Sequence, residues 1–162
     1  MGGLLLALLS AAAAPAPPSG GAALVGTWRL VSNDEHRADG SVTAVWGRDP
    51  AGSLMYQANG RMAVQLMDPR RGKFASEDRM AGTPDEVKRA FEGYLAYFGT
   101  YTVEERGGVV VPHVEAATFP NLIATDLRRT FVLSGDRLPL STPPMVPGGR
   151  RTTYVLVWER QR

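Results

Sequence analysis

The sequence predicts an all-β domain, an antiparallel barrel of about 8–10 strands with one mid-chain α-helix. Three observations point there. Short β-rich runs recur along the chain with Gly, Asn, Asp and Pro turns between them. A complete helix-start signal stands at Thr83, in the middle of the chain. The first run carries Gly26-Thr27-Trp28 and the last carries Trp158-Glu159-Arg160. A closed barrel brings these together, because closure makes its two terminal strands neighbours.

The elements follow in order. Residues 4–9 are apolar, Ala11 to Ala14 are small, and Pro15-Ala16-Pro17-Pro18-Ser19-Gly20-Gly21 follows. This resembles a secretory signal with cleavage after Ala14 or Ala16, although no Lys or Arg precedes the apolar run. A disordered Ala/Pro tail, or a start codon assigned too early, is the alternative. Residues 1–22 are therefore expected to be a signal peptide or disordered leader, and 23–162 the barrel. The expected location is periplasmic or secreted, or cytoplasmic if the leader is not functional. The apolar run is too short for a membrane span, which needs about 20 residues.

Residues 24–32 read as the first strand, 33–40 as a polar turn ending on Asp39-Gly40, and 41–46 as the second strand, closed by Gly47-Arg48-Asp49-Pro50. Residues 52–57 and 61–67 flank Ala58-Asn59-Gly60, a strong hairpin signal. A polar connection leads to the helix, with Thr83 as N-cap, Pro84 in the first turn and Glu86 completing a capping box. Val87, Ala90, Phe91, Tyr94, Leu95 and Phe98 recur at helical spacing, so the helix is expected to run to Gly99. Residues 100–106 and 109–117 form a hairpin through Gly107-Gly108, and Phe119-Pro120-Asn121 breaks the run. Residues 126–133 and 137–141 form another through Ser134-Gly135-Asp136. A proline-rich loop, 142–149, leads to the last strand, 150–160.

The 162 residues, 44% hydrophobic and 21% charged, suffice for one domain with a real core. The net charge is +2, and the basic residues are scattered apart from doublets such as Arg70-Arg71 and Arg150-Arg151. That argues against a nucleic-acid-binding face. The absence of cysteine excludes disulfides, thiolate catalysis and lipoprotein anchoring. With only His36 and His113, a multi-histidine metal site is not expected. No Gly-x-Ser-x-Gly elbow, phosphate loop or dinucleotide fingerprint is present, and no cofactor is expected.

The chain resembles the lipocalin-like domain family, small barrels of the calycin type. The resemblance rests on Leu24-Val25-Gly26-Thr27-Trp28, on residues 60–67, and on the Tyr94-x-x-Tyr97-Phe98-Gly99-Thr100-Tyr101 stretch. It also rests on His113-Val114-Glu115, Phe119-Pro120-Asn121 with Asp126 beyond it, and residues 140–144 leading to 156–160. It covers nearly everything after the leader and implies a lipocalin-like barrel. It implies no single activity.

A barrel of this size fills with side chains or holds one small molecule, and strand parity decides which residues line the interior. His113 and Glu115 share a face with Val109 and Val111; turned inward, they would be polar groups of a site, and turned outward, solvated side chains. Gln65 lies in a strand apolar on both faces, as a cavity group or a hydrogen-bonded core glutamine. Tyr94, Tyr97, Phe98 and Tyr101 are expected to cluster around the helix end. There the helix could cover a barrel mouth and bring a tyrosine hydroxyl to a ligand, Tyr97 and Tyr101 being the candidates. Arg128 and Arg129 have opposite parity; the inward one could pair with Glu115 or bind a ligand carboxylate. Arg160 is expected to stack on Trp28 and close the barrel end. The candidate ligand-binding set is thus Gln65, Tyr97, Tyr101, His113, Glu115 and Arg129.

The function expected is binding of a small, largely apolar or amphipathic molecule in the cavity. One alternative is an isomerase- or cyclase-type enzyme moving a proton with His113 or Glu115. Another is a filled barrel that serves as a protein-interaction domain.

Overall fold

The last strand pairs with the first along nearly its whole length, from Trp28 opposite Arg160 to Arg37 opposite Thr152. In this computed structural model, which describes residues 20–104, 106 and 108–162, that pairing closes the sheet into an antiparallel barrel. The strands are β1 (Gly26–Arg37), β2 (Val42–Ala44), β3 (Ala51–Tyr56), β4 (Arg61–Met67), β5 (Tyr94–Glu104), β6 (Val109–Ala117), β7 (Arg129–Phe131), β8 (Arg137–Ser141) and β9 (Thr152–Arg160). Eight of them form the wall in the order β1-β3-β4-β5-β6-β7-β8-β9, while β2 pairs only with β1. Two α-helices are described, α1 (Gly20–Leu24) and α2 (Pro84–Glu92).

One end of the barrel is sealed. The short helix α1, whose Gly20 and Gly21 the sequence reading assigned to the leader, lies across it and buries Leu24 completely. Residues 1–19 of the expected leader lie outside the described residues. Trp28 Nε1 donates to the Leu24 carbonyl at 2.9 Å. The Arg160 guanidinium stands 4.1 Å over the Trp28 ring and donates to the carbonyls of Val25 at 2.7 Å and Ala23 at 2.6 Å. Gly26 has φ +142°, and a Cβ there would stand 2.6 Å from Arg160 Nη1, so only glycine lets the chain pass under the arginine. Above this clasp Trp28, Leu30, Leu54, Tyr56, Met62, Val64, Val110, Leu138 and Trp158 fill the interior.

The hairpins at Asn59-Gly60, between Glu104 and Val109, and at Gly135 join β3–β4, β5–β6 and β7–β8 as expected. Three elements differ from the sequence reading. The capping box at Thr83 and Glu86 is present, but α2 stops at Glu92 with Gly93 as its cap. Tyr94, Leu95, Tyr97 and Phe98 are therefore residues of β5, not of a helix. The helical spacing of apolar residues ran on by coincidence; β4 pairs with 94–100 and β6 with 97–104, and Gly99 sits opposite a bulge in β6 at Glu115 rather than at a helix end. Second, the polar run 33–37 is strand. A bulge between Leu30 and Ser32 shifts its register, and β9 pairs with it residue by residue to Arg37. Third, the strand expected over 126–133 shortens to β7.

Candidate ligand cavity

Inward positions follow from register. On β4 they are Met62, Val64 and Leu66; on β5 their partners Gly99, Tyr97 and Leu95, followed by Tyr101 and Val103. On β7 the inward residue opposite fully buried Val110 is Arg129, and on β9 the row Trp158, Leu156, Tyr154, Thr152 faces in. Side chains pack the sealed half of the barrel. The other half is hollow, with a cavity of about 400 Å³. Leu66, Leu95, Leu127 and Leu156 line its walls, and Val45, Trp46, Phe119, Leu122 and Met145 reach it from the connections at the open end. Helix α2 contributes no residue to the lining, and none of its side chains is buried.

Five polar side chains enter this apolar space: Asn33, Tyr97, Arg129, Thr142 and Tyr154. Asn33 is 6% exposed; its carbonyl accepts from Val45 N at 2.9 Å, while its side-chain amide has no hydrogen-bond partner among the described residues. Thr142 Oγ1 accepts from Tyr154 N at 3.0 Å. Burial pushes the Tyr97 phenol up, and the positive charge of Arg129 beside it pulls the other way. Burial also raises the phenol of Tyr56, on which Arg129 again acts in opposition. Arg129 and Tyr97 thus border the same space. Arg129 Nη1 donates to the Arg128 carbonyl at 2.8 Å, and no carboxylate among the described residues pairs with it. Tyr154 is raised by burial and by the Glu35 charge, with Arg37 opposing. Glu35 itself receives both Arg37 Nε at 3.2 Å and Nη2 at 2.8 Å, which holds its carboxyl below the usual range.

Of the six residues singled out in the sequence, Tyr97 and Arg129 line the cavity together. Tyr101 also faces inward, but into the packed half: its ring lies 4.6 Å from that of Tyr56, and its hydroxyl donates to the Gln57 carbonyl at 3.0 Å. Gln65, His113 and Glu115 are on the outer surface. Gln65 is exposed, and lines a shallow external groove with Ala63, Ala96 and Phe98. Glu115 accepts from Arg61 Nη1 at 2.6 Å, and does not meet Arg129. His113 places Nε2 3.0 Å from Thr102 Oγ1 and Nδ1 2.7 Å from Asp126 Oδ1, which fastens the returning segment 124–127 alongside β6, where its backbone bonds to Pro112 and Val114. The outward arginine, Arg128, pairs with Glu104 through both Nη atoms.

Sequence reasoning missed Asn33, Trp46, Thr142 and Tyr154. Counting back by twos from Trp158 gives Leu156 and Tyr154, so one of the four was within reach. Asn33 was hidden by the bulge, which inverts parity after Leu30.

Comparison with known proteins gives a consistent picture. A curated relative, the 4'-hydroxy-3'-methoxypropiophenone carrier protein ppsC of Aspergillus oryzae, is 32% identical over 106 residues, which cover 61% of this chain and 96% of that protein. The profile of the lipocalin-like domain family matches residues 25–161, from the α1–β1 junction to the end of the closing strand. The chain belongs to the lipocalin-like domain family.

Proposed function

We propose that this protein is a non-catalytic carrier that holds one small, mostly apolar aromatic molecule in the open half of the barrel. The observation that carries the reading is the division of the interior into a packed half and a hollow half, the hollow walled by leucines and aromatics with a few convergent polar groups. Its volume of about 400 Å³ falls in the range of small-molecule sites, near the lower end. Apolar burial supplies affinity at about 25 cal/mol per Å², and the polar groups set orientation. The carrier function of ppsC, named for a substituted phenyl ketone, supports a ligand of that size and character. A proton-moving enzyme built on His113 and Glu115 is disfavoured, because both residues face away from the cavity.

The test is titration with 4'-hydroxy-3'-methoxypropiophenone, followed by the fluorescence of Trp46 at the mouth. The other two tryptophans, Trp28 and Trp158, are buried at the sealed end and serve as a constant background. Saturable quenching that disappears in Trp46→Phe, with calorimetric binding retained in that variant, supports carriage. No saturable binding of this ketone, of related aryl ketones or of a host metabolite extract sinks it and leaves the barrel as an interaction domain. We also infer export. No helix among the described residues is long and apolar enough to cross a membrane, and the leader is judged by sequencing the mature amino terminus after expression in the native host. An intact Met1 there would reject the inference.

A further inference from the structure

We propose that the cavity selects its ligand in the anionic form, with Arg129 as the recognition residue for a phenolate or carboxylate oxygen. The inference rests on the carrier reading and narrows its ligand class to aromatic acids and acidic phenols.

Arg129 is brought inward by its register opposite Val110, in a wall made mostly of aliphatic and aromatic side chains. A charge taken into such surroundings is costly unless it is paired and hydrogen-bonded. The hydrogen-bond partner found for it among the described residues is neutral, the Arg128 carbonyl, and Tyr97, which lines the same cavity, keeps its proton through burial. Glu35 and Arg37, on the same inward row, are engaged with each other, and Glu35 also accepts from Thr152 Oγ1. Arginine carries five donors and no acceptor, so several N–H groups remain for whatever occupies the cavity. An anionic oxygen satisfies them with charge-assisted bonds roughly twice as strong as those to a neutral oxygen.

A second observation points to the same occupant. Asn33 is more than nine-tenths buried and borders the cavity, and its side-chain amide has no hydrogen-bond partner among the described residues. A buried amide of that kind matches a neutral polar group on the ligand, such as a carbonyl or ether oxygen, remote from the acidic one. The molecule that fits has an apolar ring, an acidic oxygen for Arg129 and a neutral acceptor for Asn33. When such a ligand enters as the neutral acid, its O–H bond breaks, the electron pair stays on the oxygen, and the proton passes to the buffer.

The experiment compares 4'-hydroxy-3'-methoxypropiophenone with 3',4'-dimethoxypropiophenone on the intact protein. The two ketones share shape, but only the first can ionise. Affinity is measured by calorimetry in two buffers of different ionisation enthalpy below the free phenol's pKa, and the bound phenol is followed by its phenolate absorbance. The expected results are an affinity at least about tenfold higher for the phenolic ketone, net proton release on binding, and a phenolate spectrum in the complex at a pH where the free ketone is neutral. Arg129→Met should remove all three while retaining weak, equal binding of both ketones. Equal affinities in the unaltered protein, with a neutral bound phenol and no proton release, overturn the proposal and leave the carrier reading standing. So does an Arg129→Met variant that still binds the phenolate. Failure of both ketones to bind overturns the carrier reading and this inference with it. The comparison of the two ketones needs no variant, so it decides even if Arg129→Met does not fold.

Discussion

Replacing Arg160 tests whether the sealed end is held by one side chain. Arg160→Met keeps much of the apolar stem over Trp28 but removes the guanidinium, which stacks at 4.1 Å and donates to two carbonyls that precede β1. Stacking contributes about 0.5–1 kcal/mol, and each charge-assisted bond about 1.5 kcal/mol at the low end that suits a partly exposed group. The side chain is 25% exposed, so water recovers part of the loss, and the expected destabilisation is about 3 kcal/mol. For a chain of this size that lowers Tm by roughly 6–12 °C. Urea and thermal unfolding followed by tryptophan fluorescence measure it. Arg160→Lys should recover only a fraction, because an ammonium cannot serve both carbonyls and lie flat on the indole. The control is Arg162→Ala, whose side chain is 83% exposed and meets only Asp136; it should stay within about 0.5 kcal/mol of the parent. A loss below about 1 kcal/mol for Arg160→Met would refute the reasoning and place the closure energy in the strand pairing and core alone.

The remaining predictions concern the wall and the helix. Gly99→Ala should largely abolish folding, since a Cβ there, opposite the β6 bulge, would collide with the His113 carbonyl oxygen; circular dichroism of the purified variant decides it, and Gly40→Ala, with open space around a φ of +84°, should cost only about 1 kcal/mol. Tyr56 and Tyr97 have phenols raised above the ordinary 10.0 by burial. Their folded pKa exceeds the unfolded one, so the stability they secure is complete below about pH 10 and is lost as pH rises through the folded values. Alkaline difference absorbance should therefore show these tyrosinates forming only as near-ultraviolet dichroism collapses; their smooth ionisation in an intact barrel would contradict the burial. Thr83→Ala removes the Thr83 Oγ1 acceptor for Glu86 N, leaving the backbone Thr83 N free to donate to Glu86, and should weaken α2 by about 1 kcal/mol. Because α2 buries no side chain, that loss should appear as faster amide exchange in residues 84–92 with the global midpoint almost unmoved.

The barrel was legible because closure leaves marks at both chain ends. Trp28 and Arg160 are far apart in sequence, and only adjacent terminal strands explain their shared chemistry. The Asn59-Gly60 turn was equally plain, since Gly60 adopts φ +81°, the backbone that such hairpins demand. Residues 94–99 were misread because apolar residues kept a helical interval past Gly93, while the period-two row Leu95, Tyr97, Gly99, Tyr101, Val103 became visible only with its partners on β4 and β6. Facing was the harder problem. β6 reads Val109-Val110-Val111-Pro112-His113-Val114-Glu115 and is apolar on both sides, and Val111 is only 5% exposed although it stands on the outward row with His113. Composition could not say which of these rows faces the core. Arg129 and Tyr97 were within reach from parity and from the aromatic motif. Asn33 was not, because one bulge at Ser32 separates the strand that the sequence shows from the strand that the barrel uses.

The central claim is that the hollow half of the barrel, not its outer surface, takes the ligand. Methyl-labelled protein with bound 4'-hydroxy-3'-methoxypropiophenone decides this through intermolecular nuclear Overhauser effects. The account predicts contacts from the aromatic ring to the methyls of Leu66, Leu95, Leu127 and Leu156. Contacts instead to Ala63, Ala96 and Ala116, along the external groove beside Phe98, would contradict it.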